Sequence, residues 1–191
     1  MENPAEGITF KGYNKYEKQL RKNILTIDEL QALAQKPCGN VQVKRAFLFA
    51  CYTGLGMAEI RKLTWSRIKN ERISLFREKN GEQVNNDLHP IAIKILGQPG
   101  NREELIFNCP SDPAVSKDLK RWVKEAGIEK NISFYCGRHT YAVNLLMGGN
   151  NLKTVADCMA QTSTKHTLKY LNFTDELKTK AIASLPEITL I

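Results

Sequence analysis

The sequence predicts a mostly α-helical domain with one small antiparallel β-hairpin, an α+β arrangement. Three observations predict it. Apolar residues recur at helical spacing through most of the chain after residue 23, and a single Asn80-Gly81 pair separates two extended runs. No alternation of strand and helix suggests a parallel sheet. The 191 residues, 42% hydrophobic and 25% charged, suffice for one globular domain with its own core.

Residues 1–23 are polar, lysine-rich and aperiodic, and read as a linker or arm. Thr26 followed by Glu29 fits a capping box, and Ile27, Leu30, Leu33 and Ala34 give a helical stripe that Pro37 to Asn40 ends. A second helix over 41–53 is apolar on most sides and so belongs at the centre; Gly54 and Gly56 close it. A short helix follows at 58–63. The extended runs 73–77 and 83–88 flank Lys79 to Glu82, where Asn-Gly favours a tight hairpin turn. Further helices are expected at 90–96, 115–126, 138–147, 152–160, 163–171 and 175–184, the last ending before Pro186.

Composition narrows the function classes. The apolar charge-free stretch 46–58 has 13 residues, short of the ~20 a membrane span needs. With no signal-like segment after Met1, the chain is expected to be cytoplasmic, with no membrane partner. Five scattered cysteines without a CxxC pair suit neither a disulfide framework nor a zinc ribbon, and Cys136 with His139 is a half-site lacking its second half. No metal site is expected. The net charge of +8 makes a polyanion, first of all nucleic acid, the partner to test.

Three residues stand out chemically. Arg138 lies in the first turn of a predicted helix, where a guanidinium would add to the helix N-terminus as a phosphate cradle. Lys79 sits at the hairpin tip. Tyr170 has helical neighbours of mixed polarity. Each alone reads equally well as an ordinary surface or packing residue.

Their order and spacing add more. Thr53-Gly54-Leu55-Gly56-Met57-Ala58-Glu59, with Leu63 and Trp65, resembles the T-G-L-R-x-S-E-x-x-x-L-x-W box of the tyrosine recombinases, the phage-type integrase family. Arg77-Glu78-Lys79-Asn80-Gly81 is similar to its lysine hairpin, and Leu88, Ala92 and Leu96 to its P-L-x-x-x-A-x-x-I-L segment. Ser133 through Ala142 resembles the F-H-x-x-R-H-T-x-A box, Met159-Ala160-Gln161 its L-G-H, and Tyr170 falls nine residues after Gln161, where the family has its nucleophile.

The resemblance implies a catalytic domain over 24–191, with 1–23 the linker from a missing DNA-gripping core-binding domain. It implies strand cleavage through a 3′-phosphotyrosine and rejoining, with no cofactor, on double-stranded DNA. The working form would be a tetramer on paired sites, and an isolated fragment a monomer; the apolar end after Pro186 fits an exchanged segment. Lys79, Arg138 and Tyr170 match the family's catalytic set. Gly56 stands where the first clamp arginine is expected, Tyr135 where the first histidine is, and Gln161 where the second His or Trp is. Losing one preorganised charged donor costs about 3–4 kcal/mol at the transition state, so reduced activity is expected. The alternative is a catalytically inactive DNA-binding relative. Arg45, Arg61 and Lys62 are cations near in sequence, but Arg61 and Lys62, five and six residues after Gly56 on a short helix, are expected to point elsewhere, so a substitute clamp has to come from the fold. His166, four residues before Tyr170 on one expected helical face, is a candidate proton shuttle.

Overall fold

The structure of the chain, a computed structural model, describes residues 23–77 and 81–173, without the side chains of 172 and 173. The expected arm apart from Asn23, Lys79, the helix at 175–184 and the apolar end beyond Pro186 lie outside the described residues.

Helix α1 (Ile27–Gln35) starts at the expected capping box: the Glu29 N–H donates to Thr26 Oγ1, and the Thr26 N–H to Glu29 Oε2. Asn40 caps α2 (Val41–Thr53), and Gly54 ends it with φ 68°, a left-handed conformation that suits glycine. A Cβ at Gly54 would also lie 2.5 Å from the Tyr141 ring. The short α3 (Met57–Arg61) follows at once.

The sheet has three antiparallel strands in the order β1 (Ile68–Lys69), β2 (Arg72–Phe76) and β3 (Gln83–Asp87). The β2–β3 hairpin is the one expected, with Gly81 at φ 68°. Strand β1 was not expected. Its turn to β2 uses Asn70 and Glu71, at φ 49° and 57°; two left-handed residues are what a tight hairpin turn needs, but no glycine advertises them.

Helices α4 (Pro90–Leu96), α5 (Asp112–Glu125), α6 (Tyr135–Met147) and α7 (Leu152–Cys158) complete the domain. The segment expected as an α-helix over 163–171 is instead two 3-10 turns, Thr164–His166 and Leu168–Phe173. Two threonines and a serine crowd it, and the Thr167 hydroxyl bonds the Gln161 side chain, so local side-chain bonds compete with a regular helix.

Helix α2 is apolar all round because it serves two cores. One face packs Phe47 and Leu48 with α1 and Trp122 of α5; the other packs Ala46 and Phe49 with β2, β3, α4 and Phe107. A third cluster joins α6 and α7 around Val143, Leu146, Val155 and Met159, and it holds Tyr170. Among the described residues no helix is long and apolar enough to cross a membrane.

Candidate active site

The site forms where the end of α2, the end of β2, the start of α6 and the 3-10 segment meet. Arg138 is in the second turn of α6 and only 6% exposed. Its Nη1 donates to the Gly54 carbonyl at 2.6 Å and its Nη2 to the Met159 carbonyl at 2.9 Å. The guanidinium thus joins the C-termini of α2 and α7. It does not add to the α6 N-terminus as the sequence suggested: the first-turn N–H groups of Cys136 and Gly137 donate to Ser133 and Phe134 carbonyls.

Tyr170 is fully buried, and its hydroxyl lies 2.7 Å from His139 Nδ1. Burial, then the neighbouring Lys169 and Arg138 charges, push the His139 pKa down to about 4, so the imidazole is neutral at neutral pH. Burial likewise raises the Tyr170 pKa; nearby Tyr135 adds to the rise, and Arg138 opposes it. The pair is therefore a phenol hydrogen-bonded to a neutral imidazole. Lys169 Nζ lies 5.1 Å from the centre of the Tyr170 ring. Tyr135, 52% exposed, stands edge-on to His139 with ring centres 4.7 Å apart.

A second buried guanidinium approaches the same carbonyl. Along β2 the burial alternates, with Ile73 and Leu75 inward, and Arg77 continues on that inner face at 8% exposed. Its Nη2 donates to the Gly54 carbonyl at 3.3 Å, and its Nη1 is 3.4 Å from Glu59 Oε1. Burial and the Arg138 charge lower its pKa, with Glu59 opposing them. The other Glu59 oxygen accepts from the Gly56 N–H at 2.7 Å.

The chain is matched over residues 23–176 by the model of the phage integrase family. It belongs to that family. Among its relatives, the tyrosine recombinase of Thermosipho africanus (strain TCF52B) is 27% identical over 198 residues, spanning 96% of this chain and 68% of the relative. That of Pseudothermotoga lettingae is 26% identical over 203 residues, spanning 96% of this chain and 66% of the relative. The chain thus spans about two thirds of the length of these curated relatives. The catalytic domain of bacteriophage HP1 integrase has the same fold, with a TM-score of 0.66 at 20% identity over 86% of this chain and 95% of that one. XerA recombinase superposes at 0.70 with 18% identity, covering 87% of this chain and 65% of its own. A lambda integrase dimer solved bound to a COC′ core site superposes at 0.63 with 18% identity over 88% and 63%.

Within this integrase-family fold the expected site residues fall unevenly. Arg138, Tyr135 and Tyr170 gather around His139. Gln161 accepts from the Thr167 hydroxyl at 2.8 Å, and the Thr167 carbonyl accepts the Tyr170 N–H, so it braces the tyrosine segment. Gly56 is the N-cap of α3. His166 is exposed on a 3-10 turn, so the shared α-helical face assumed for it with Tyr170 does not exist.

The cations near Gly56 in sequence are largely committed elsewhere. Arg45 donates to the Ile95 and Leu96 carbonyls. Arg61 binds Asp112 and the Cys109 and Pro110 carbonyls. Lys62 lines a surface cavity with Arg67 and Phe76. Two residues went unremarked as site residues. His139 was legible as the neighbour of Arg138, and Arg77 in the alternating run Ile73-x-Leu75-x-Arg77.

Proposed function

We propose that this chain is the catalytic part of a DNA strand-transferase that cleaves and rejoins double-stranded DNA through Tyr170. The observation that carries the reading is the 2.7 Å hydrogen bond between the Tyr170 hydroxyl and Nδ1 of a neutral His139 beside the buried Arg138. A phenol is a weak nucleophile until a base takes its proton; His139 Nδ1 is within hydrogen-bond reach of it, and the negative charge of a bound phosphate would raise the basicity that burial lowers. Tyr170 Oη attacks phosphorus, its proton passes to His139, and the bond from phosphorus to the 5′ oxygen breaks. Lys79 protonates that oxygen, the role the family resemblance gives it. Rejoining runs in reverse, with the 5′ hydroxyl of a partner strand displacing the phenol. Arg138 holds a fixed positive charge against the charge that builds on the phosphate. Because Tyr170 is fully buried, the side chains that cover it have to move aside for DNA to reach its hydroxyl, with His139 staying beside it.

The net charge of +8 supports a polyanionic partner, and the phosphate contacts such a surface makes position DNA without reading its sequence. Full exchange engages paired sites, with the chain acting within a tetramer. Gly56 in place of a charged clamp leaves the activity reduced unless another cation acts. The test is a pool of nicked duplexes with randomised sequence around the nick. The expected result is a covalent protein–DNA adduct, resistant to denaturation, that Tyr170→Phe abolishes. DNA binding with no adduct assigns the chain to the inactive DNA-binding relatives instead.

A further inference from the structure

We propose that Arg77 supplies, from the end of β2, the second guanidinium clamp on the reacting phosphate that Gly56 cannot, an inference that rests on the strand-transferase reading above. Four observations lead to it. The strand register turns Arg77 inward behind Ile73 and Leu75, and a backbone hydrogen bond from the Arg77 N–H to the Glu82 carbonyl, at 2.8 Å, pins its position. Its guanidinium meets that of Arg138 at one oxygen, the Gly54 carbonyl, at 3.3 and 2.6 Å.

Two guanidinium groups around one neutral oxygen repel each other. The Glu59 carboxylate, 3.4 Å from Arg77, offsets one positive charge, and among the described residues no carboxylate pairs with the other, Arg138. With both side chains largely shielded from water such an excess is costly, and a phosphate would remove the cost. The Arg77 Nε is itself buried with no hydrogen-bond partner, the single such side-chain atom among the described residues. A buried donor without an acceptor calls for an explanation, and an incoming phosphate oxygen supplies one.

Position 56 and Arg77 also share their space. A Cβ built on Gly56 would lie 2.8 Å from Glu59 Oε2, and the same carboxylate contacts Arg77 through its other oxygen. Glu59 thus links the place a clamp side chain would leave the backbone to the guanidinium that is present. In the pentacoordinate transition state the two non-bridging oxygens carry the developing charge, and two forks, Arg77 and Arg138, would serve one each.

Adduct formation by the full chain is compared on two nicked substrates, one with an ordinary scissile phosphodiester and one with a neutral methylphosphonate there. On the phosphodiester, Arg77→Ala is expected to slow adduct formation roughly a hundred- to a thousand-fold. On the methylphosphonate, which lacks the charge a clamp neutralises, most of that deficit disappears. An equal deficit on both substrates overturns the proposal, since a merely bracing residue is blind to the charge on phosphorus. Should Arg77→Ala lack a cooperative melt, Arg77→Gln, which keeps a donor for the Gly54 carbonyl, carries the same comparison. A separate arm titrates inorganic phosphate against the chain by calorimetry. Arg77→Ala and Arg138→Ala are each expected to weaken it by roughly tenfold or more, and unchanged binding in Arg77→Ala also overturns the proposal. A chain that binds phosphate through Arg77 yet forms no Tyr170 adduct would refute the strand-transferase reading and leave the anion site standing.

Discussion

Acid should destabilise this fold partly through His139. In the unfolded chain its imidazole takes up a proton near pH 6.5; in the folded chain burial beside Lys169 and Arg138 delays that to about 4. Between those limits unfolding binds a proton, so stability is constant above about pH 6.5 and falls as the pH drops toward 4. At about 1.4 kcal/mol for each pH unit the gap corresponds to about 3 kcal/mol. The ring is part-solvated, and screening reduces the expected loss to about 2 kcal/mol. The perturbation is His139→Asn, which keeps a hydrogen-bonding side chain beside the Tyr170 hydroxyl and removes the titration. Urea unfolding followed by circular dichroism from pH 8 down to 4 gives two stability curves. Titrating carboxylates are common to both, and the other two histidines, His89 and His166, are exposed. The wild-type curve should fall more steeply by about 2 kcal/mol across the window. Parallel curves would refute the reasoning, because His139 would then not be held neutral by its surroundings.

Gly54→Ala places a Cβ at φ 68° and 2.5 Å from the Tyr141 ring, and should destabilise the chain by about 1–3 kcal/mol, read as a lower urea midpoint. Gln161→Ala removes the acceptor for the Thr167 hydroxyl; about 1 kcal/mol of stability should go, with a lower adduct yield, because the tyrosine-bearing segment loses its brace.

The fold was legible wherever one strong local signal acts. The Thr26 and Glu29 box, the apolar run of α2 and the two extended runs of the β2–β3 hairpin each specify an element without help from the rest. Strand β1 was not legible because Asn70 and Glu71 take left-handed conformations that no glycine at the turn signals. The 163–171 segment has helical spacing, but its hydroxyl side chains bond locally and divide it into 3-10 turns at Thr167. The same division removed His166 from the face of Tyr170.

In the site, the ordered motifs singled out Arg138 and Tyr170 but not what they touch. The Arg138 partners are carbonyls 84 and 21 residues away in the chain, and such pairings leave no trace in spacing. Arg77 was the nearest to readable: an arginine on the inner face of a half-buried strand has to find a counter-charge or a ligand.

The most direct test of the central claim is peptide mapping, by mass spectrometry, of the trapped protein–DNA adduct after nuclease digestion. The nucleotide should be attached to the peptide holding Tyr170. Attachment at Tyr135, the exposed tyrosine on the other side of His139, would contradict the account.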